Sequence, residues 1–371
     1  HLTMSPEDKL AIIKSFASEI IKEEELVKLF AEKEAKNEDI IAYDGFEPSG
    51  NIHIAQGLMR AITVNKMTSL GGFKFKFWVA DWFGMLNNKM GGDLEKIRIV
   101  GEYFIEVWKA CGMDLENVEF VWTSDFIESH PQYWTTVLKL SMNTTVQRVL
   151  RCGQIMGRED STSNPAAQIL YPIMQAADIH HLKADIAQLG MDQRKVNMLA
   201  RDVFPKLGFK APIAIHHHML MGLHEQQSDL KTEFNSLIGH VKTDTLSEAN
   251  ELITQLATKV NQELPSEKLL ADIFGAVSQN KKSAITAIVE LRDKYGAKLQ
   301  TANKMSKSKP NSAIFMTDST EDVARKFKKA FCPLGQAQDN PVLEYLKHIV
   351  FEKCDTLTIE RDEKFGGNIT Y

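Results

Sequence analysis

The chain has 371 residues, a hydrophobic fraction of 43%, a charged fraction of 25% and a formal net charge of -5. That length can bury a full core and accommodates more than one domain, and no apolar run approaches the ~20 residues a membrane span requires. The net acidity excludes a protein that coats nucleic acid nonspecifically, though a local basic patch remains compatible with gripping one RNA.

The residues ahead of Met4 read as an expression remnant, and the polar start lacks the apolar stretch of a secretion signal. A cytoplasmic protein is expected. Cys111, Cys152, Cys332 and Cys354 are scattered without paired spacing, which suggests neither a disulfide framework nor a zinc site. Ser5-Pro6-Glu7-Asp8 is a helix start, with a capping Ser, Pro in the first turn and acids at the positive end of the macrodipole. Leu10, Ile13, Phe16, Ile20, Leu26, Leu29 and Phe30 follow at helical spacing, so residues 5–38 are expected to form a helical leader.

From residue 39 short apolar runs alternate with helical stretches. Strands are predicted at Ile40–Tyr43, Phe73–Val79, Val118–Trp122, Ile186–Leu189 and Ile213–His216, with helices near 54–70 and 93–112. This rhythm indicates an α/β fold, a Rossmann-like parallel sheet built from βαβ units. Residues 224–300 read differently, with Leu252, Leu256, Val260, then Leu269, Ile273, Val277, then Ile285, Ile288, Leu291 at helical period and a break at Pro265. They look like a helical insertion, after which come a Lys/Ser loop and a helix near 320–330.

Three stretches carry chemistry. The first runs from Tyr43 through Asp44, Gly45, Phe46, Glu47, Pro48, Ser49 and Gly50 to His53 and Gln56, a strand end turning into a helix. Ligands of open α/β sheets sit at such carboxyl ends, where a helix N-terminus offers N–H groups to phosphate. Gly45 and Gly50 would let backbone approach a nucleotide and His53 could donate to developing charge; the spacing equally fits a tight capped turn with a surface His. The second is Lys304-Met305-Ser306-Lys307-Ser308-Lys309, whose cations could close over a pyrophosphate leaving group, although charged loops are usually just solvated. In the third, Tyr171, Gln175 and Asp178 stand at offsets of four and three, so a helix aligns them on one face, as a pocket wall or a hydrogen-bonded surface.

His53-Ile54-Ala55-Gln56 followed by Lys304-Met305-Ser306-Lys307-Ser308 resembles the two signatures of class I aminoacyl-tRNA synthetases. The second matches letter for letter. The first has Ala55 and Gln56 where the family has Gly and a second His, so Gln56 can hydrogen-bond but carries no charge. Leu170 to Asp178, with Gln188-Leu189-Gly190-Met191-Asp192-Gln193, resembles the tyrosine-binding signatures of the archaeal and eukaryotic tyrosyl-tRNA synthetases.

That resemblance implies tyrosine activation with ATP and Mg2+, transfer to tRNA(Tyr), and a homodimer. It implies His53, Gln56, Lys304 and Lys307 as catalytic residues; Tyr43 and Asp178 on the substrate phenol; Tyr171, Gln175 and Gln193 on its ammonium; and Gly45, Glu47, His53, Gly190, Asp192, Lys304 and Lys307 around ATP. An Asp on the phenol would reject phenylalanine by being left unmet, and this family is itself the standard case of that principle. The resemblance also implies a catalytic domain of residues 39–223 and 301–335, interrupted by the insertion at 224–300, which could influence closure of the Lys/Ser loop. Residues 336–371 would be the truncated start of a helical anticodon-binding domain. A tryptophanyl enzyme and a noncatalytic RNA-binding paralogue are the competing readings.

Asp81 follows a strand and could face the substrate amine or cap a helix. His180-His181 and His216-His217-His218 have no acidic or Cys partner at ligand spacing, so no metal site is expected, and His216 to His218 should pack near the nucleotide. For RNA phosphate, Arg325, Lys326, Lys328 and Lys329 are the first candidates and Arg148, Arg151 and Arg158 the second.

Overall fold

The computed structural model describes residues 4–156, 165–263 and 280–371. They divide into two compact units: residues 1–223, 305–335 and 340–371, and residues 224–304 with 336–339.

The first unit is built on a six-stranded sheet of order β1-β6-β5-β2-β3-β4. Its strands are β1 (Ala17–Ile21), β2 (Ile40–Phe46), β3 (Phe73–Val79), β4 (Val118–Trp122), β5 (Ile186–Gly190) and β6 (Ile213–His217). The five strands expected from sequence are present and mutually parallel. β3 shows why: Phe73, Phe75 and Phe77 alternate with Lys74 and Lys76, so one face enters a dry core while the lysines emerge on the other. Chain order runs outward from β2 through β3 to β4 and, on the other side, from β5 to β6. The crevice between β2 and β5 is therefore the topological switch point where such sheets bind ligands.

The leader departs from expectation. Helix Pro6–Lys14, capped by Ser5, gives way to β1 before helix Glu23–Lys36. β1 pairs antiparallel with β6, Ile20 opposite Ile215 and Ile21 opposite Ala214. Helical spacing was a poor guide because Ile20 and Ile21 are β-branched and β6 would otherwise present an open edge. The sheet is thus mixed.

Helix Leu94–Ala110 starts on Asp93, whose carboxylate accepts from the Glu95 and Lys96 amides. Its Gly101 lies against Trp122: a Cβ there would stand 2.6 Å from the ring. The Arg98 guanidinium sits 4.6 Å from the Trp122 ring centre and limits its retreat. Gly101→Ala is expected to lower stability by about 1–2 kcal/mol, because overpacking of about 1–3 kcal/mol outweighs the better helix propensity of Ala; a denaturant midpoint at or above the parent's would show that the ring moves freely.

The second unit contains helices Lys231–Lys242, Leu246–Glu263 and Lys281–Asn303, closed over Leu230, Phe234, Leu237, Ile253, Leu256, Ile288, Leu291 and Tyr295. The helical period read there is present at Leu252 and Leu256 and at Ile285, Ile288 and Leu291. Pro265, Leu269, Ile273 and Val277 lie outside the described residues. In the first unit, residues 341–353 are helical, and Thr358–Ile359 then pairs with Ile369–Thr370 in a small ribbon. No helix among the described residues is long and apolar enough to cross a membrane.

Candidate active site

β2 carries Tyr43 and Phe46 into the core clusters on either side of the sheet and ends in Asp44 and Gly45 ahead of the turn. The turn that follows ends at His53, whose Nδ1 accepts from the Gln56 amide while the Gln56 side-chain oxygen accepts from the His53 amide, both at 3.3 Å. This reciprocal cap starts the helix over 55–68, and with Nδ1 accepting, a neutral ring carries its proton on Nε2. Gln56 is therefore placed as the cap that orients His53. His53 also bridges to Phe315, and the first turn, Ala55–Met59, is π-helical. Asp44 is fully buried beside Arg60, Nε to Oδ2 3.3 Å, and accepts from the Gly45 amide. Burial pushes its carboxyl up to about 6 against the pull of Arg60.

Helix Ala167–His181 presents Tyr171, Gln175 and Asp178 on one buried face. Asp178 is fully buried; its Oδ1 accepts from the Tyr133 hydroxyl at 2.5 Å, while Oδ2 has no hydrogen-bond partner among the described residues. Burial drives its pKa well above the ordinary carboxylate range, against the pull of the Tyr133 and Trp78 donors. The Trp78 indole nitrogen lies close enough to draw the carboxyl pKa down, without completing a hydrogen bond of good geometry. Tyr43 and Tyr171 line the same core cluster, and both phenols are pushed well up by burial. Tyr171 donates to Glu47 at 2.5 Å, and Asn87 donates to both Glu47 oxygens at 3.0 Å, tying the turn after β2 to the pocket wall.

Gln175 donates to Gln193 at 3.0 Å, linking the helix to the segment after β5. Gly190 ends that strand, and a Cβ on it would lie 2.6 Å from Met219 Sδ and 2.7 Å from Asp192 Oδ1, so a larger residue would push both side chains aside. Asp192 is half-buried in the short turn Met191–Gln193. Close to Gly190, His217 bonds Gln188 at 2.7 Å and is kept neutral by burial, its pKa pushed down to about 3; His216 is clasped by Asn197 and Glu19.

Lys307 closes the other side. Its ammonium donates to the Ser49 carbonyl and reaches the Ser49 hydroxyl, with the Phe104 ring centre 5.1 Å away. Burial, reinforced by Lys89 and opposed by Glu47, lowers its pKa to about 8. The turn that leads into the first signature thus meets the second through Ser49 and Lys307. Lys304 caps helix Lys281–Asn303 and belongs to the second unit.

The structure brings together Tyr43, Gly45, Glu47, His53, Gln56, Tyr171, Gln175, Asp178, Gly190, Asp192, Gln193 and Lys307 within the first unit. It adds Tyr133, Asn87 and Arg60, which sequence reading missed, and gives Ser49, read only as part of the turn, a partner in Lys307; Tyr133 carried only the signal of an amphipathic helix, which marks core. Asp81 is committed elsewhere: it accepts from the Ser124 amide and hydroxyl, capping helix Thr123–Ser129, with Arg98 beside it. Lys326 is a correction. It is buried, donating to Asp318 at 2.6 Å and the Ala313 carbonyl at 2.9 Å, because its helix turns that face onto the preceding loop, whereas Arg325, Lys328 and Lys329 are exposed. Arg148 pairs with Asp202, Arg151 is exposed and Arg158 lies outside the described residues.

Residues 35–273 and 276–371 match the family model for class I tRNA synthetases of the W and Y type. The cytoplasmic tyrosine–tRNA ligase 1 of Arabidopsis thaliana is 44% identical over 98% of this chain and 74% of its own length. The tyrosyl-tRNA synthetase of Pyrococcus horikoshii, solved with L-tyrosine, is 31% identical, covers 99% of this chain and 86% of its own, and superposes with a TM-score of 0.73. That of Leishmania major, solved with tyrosinol, is 38% identical with a TM-score of 0.69; 95% of this chain is covered, which spans only 43% of the Leishmania chain. A buried carboxyl on the helix of the tyrosine-type segment, the turn ahead of the first signature in contact with the second, and these likenesses agree: the chain belongs to the class I aminoacyl-tRNA synthetases, in the tyrosyl group of archaeal and eukaryotic type.

Proposed function

We propose that the protein activates L-tyrosine with ATP and transfers it from the adenylate to the 3′-terminal ribose of tRNA(Tyr). The observation that carries this reading is Asp178, a fully buried carboxyl whose Oδ2 completes no hydrogen bond among the described residues, with the Trp78 indole close by, in the core cluster that also holds Tyr43 and Tyr171. A phenol hydroxyl satisfies it; a phenylalanine side chain leaves it unmet, at a cost of about 1–3 kcal/mol. Tyr171, Gln175 and Gln193 take the ammonium and orient the carboxylate toward the α-phosphate. Gly45 and Glu47 border the ATP, Gly190 lets the ribose approach and Asp192 bonds it.

The carboxylate attacks the α-phosphate in line. His53 donates from Nε2 to the phosphoryl oxygens, held by Gln56, while Lys304 and Lys307 neutralise the departing pyrophosphate. Mg2+ arrives with ATP as part of that substrate. The tRNA ribose hydroxyl then attacks the adenylate, with Arg325, Lys328 and Lys329 as exposed cations for phosphate. We assign residues 39–223 and 301–335 to this catalytic domain, 224–300 to a helical insertion and 336–371 to an anticodon-binding domain.

Amino-acid-dependent pyrophosphate exchange tests the assignment. Tyrosine should support exchange and tryptophan should not; the reverse result makes this a tryptophanyl enzyme, and no exchange with either makes it a noncatalytic RNA binder.

The protein works in the cytoplasm as a homodimer. Support for the dimer is an apolar stripe, Trp134, Leu138 and Met142, exposed at helical spacing on helix Gln132–Met142, with Leu138 65% and Met142 84% exposed. Leu138→Arg is expected to yield monomers in light scattering, whereas a parent chain already monomeric at micromolar concentration would dismiss the dimer.

A further inference from the structure

The histidine run after β6 offered no metal partner at local spacing, yet the fold supplies two from more than a hundred residues downstream. His218 directly follows β6. Its Nε2 hydrogen-bonds Glu344 Oε1, and its ring stacks on His348 with centroids 5.2 Å apart and planes 19° from parallel. One ligand atom from each of His218, Glu344 and His348 lies within 4.8 Å of the others. Glu344 and His348 stand four residues apart on one helical stretch, which aims both at the same point.

We infer that His218, Glu344 and His348 form a binding site for a zinc-class divalent cation. Two imidazole nitrogens and one carboxylate oxygen are a borderline donor set that suits Zn2+, whereas Mg2+ and Ca2+ favour oxygen-only shells. Ligands about 2.0–2.2 Å from a tetrahedral Zn2+ lie about 3.4 Å from one another, so the three atoms close on an ion through small side-chain rotations. The ion replaces the proton between His218 and Glu344. A fourth position stays open to water, since the His218 side chain is 33% exposed.

The carboxylate is already oriented for the role. Glu344 Oε2 accepts from the Met221 amide at 2.6 Å, leaving Oε1 toward His218, and Tyr345 donates to the Met221 carbonyl at 2.5 Å. Outer bonds of this kind fix a ligand's orientation in established metal sites. The ion would staple the segment after β6 to residues 341–353. That segment also receives the Met305 amide on the Leu220 carbonyl at 2.7 Å and gives the Leu223 amide to the Ser312 carbonyl at 2.8 Å. It therefore holds the backbone on both sides of the Lys/Ser loop, and the staple would stiffen the frame from which Lys307 reaches the nucleotide.

The full chain, stripped with a chelator and dialysed, is titrated with Zn2+ against a chromophoric chelator and with Co2+ followed by visible absorption. One tightly bound ion per chain, a tetrahedral Co2+ band and a Zn2+-dependent rise in melting temperature are expected. His348→Ala and Glu344→Gln should each weaken Zn2+ binding by about 100-fold or more, beyond the loss from an outer-sphere partner, and abolish the thermal shift. Glu344→Gln keeps an acceptor for the Met221 amide, so it carries the test if His348→Ala fails to fold. Parent and variants binding Zn2+ equally, or a Co2+ spectrum without a tetrahedral band, overturns the proposal.

Discussion

Replacing Lys307 by alanine is expected to slow tyrosine-dependent adenylation by about 100- to 1,000-fold while leaving the dissociation constant for tyrosine unchanged, the loss typical of removing a group that meets charge only as it develops. The side chain is already inside the site: its ammonium rests on the carbonyl and hydroxyl of Ser49, in the turn that precedes His53. Those neutral acceptors hold it weakly compared with a pyrophosphate, so the charge can move to the leaving group without being drawn from bulk water. Because its pKa is lowered to about 8, the group is charged below that pH and loses its charge as pH rises through it. kcat/KM for ATP, which reports the free enzyme, should therefore fall above about pH 8, and Lys307→Arg should remove that alkaline decline because a guanidinium stays protonated. Pyrophosphate exchange across the pH range measures both; an alanine variant with the parent's rate removes Lys307 from the chemistry.

Asp178→Ala should lower kcat/KM for tyrosine by about 5- to 150-fold, corresponding to about 1–3 kcal/mol for the hydrogen bond lost to a buried carboxyl, and should change phenylalanine much less. Selectivity between the two amino acids then falls by nearly the same factor. The fold tolerates the change because Tyr133, which donates to Asp178, also has the Met174 carbonyl at 2.8 Å as an acceptor. A variant whose activity falls equally with both amino acids would mark Asp178 as a structural residue. Burial, which raises the pKa of this carboxyl, disfavours an unpaired charge at this point and makes a ligand hydroxyl its natural complement.

Much of the site was legible because it depends on short-range geometry. Tyr171, Gln175 and Asp178 share a face by helical period alone, and a helix formed where the period said it would. The turn from Gly45 to His53 was readable as a strand end feeding a helix, and its self-contained cap between His53 and Gln56 needs nothing from elsewhere in the chain. The leader misled for the complementary reason. Ile13, Phe16 and Ile20 fit a helix by spacing, but the unpaired edge of β6 recruits Ala17–Ile21 as a strand, and no local pattern announces a sheet edge far downstream. Lys326 was misjudged likewise, since a cation near a helix end looks solvent-facing until the loop carrying Asp318 is seen to fold onto it.

The amino-acid sequence by itself determined the alternation of strands and helices, the helical character of the stretch after His224 and the family to which the signature segments point, because hydrophobic period and turn chemistry act over a few residues. Only the tertiary structure decided which distant groups meet: Lys307 with Ser49, Tyr133 with Asp178, and His218 with Glu344 and His348. Strand order and helix packing set those distances, and burial then raises or lowers each group's acidity according to the company it keeps.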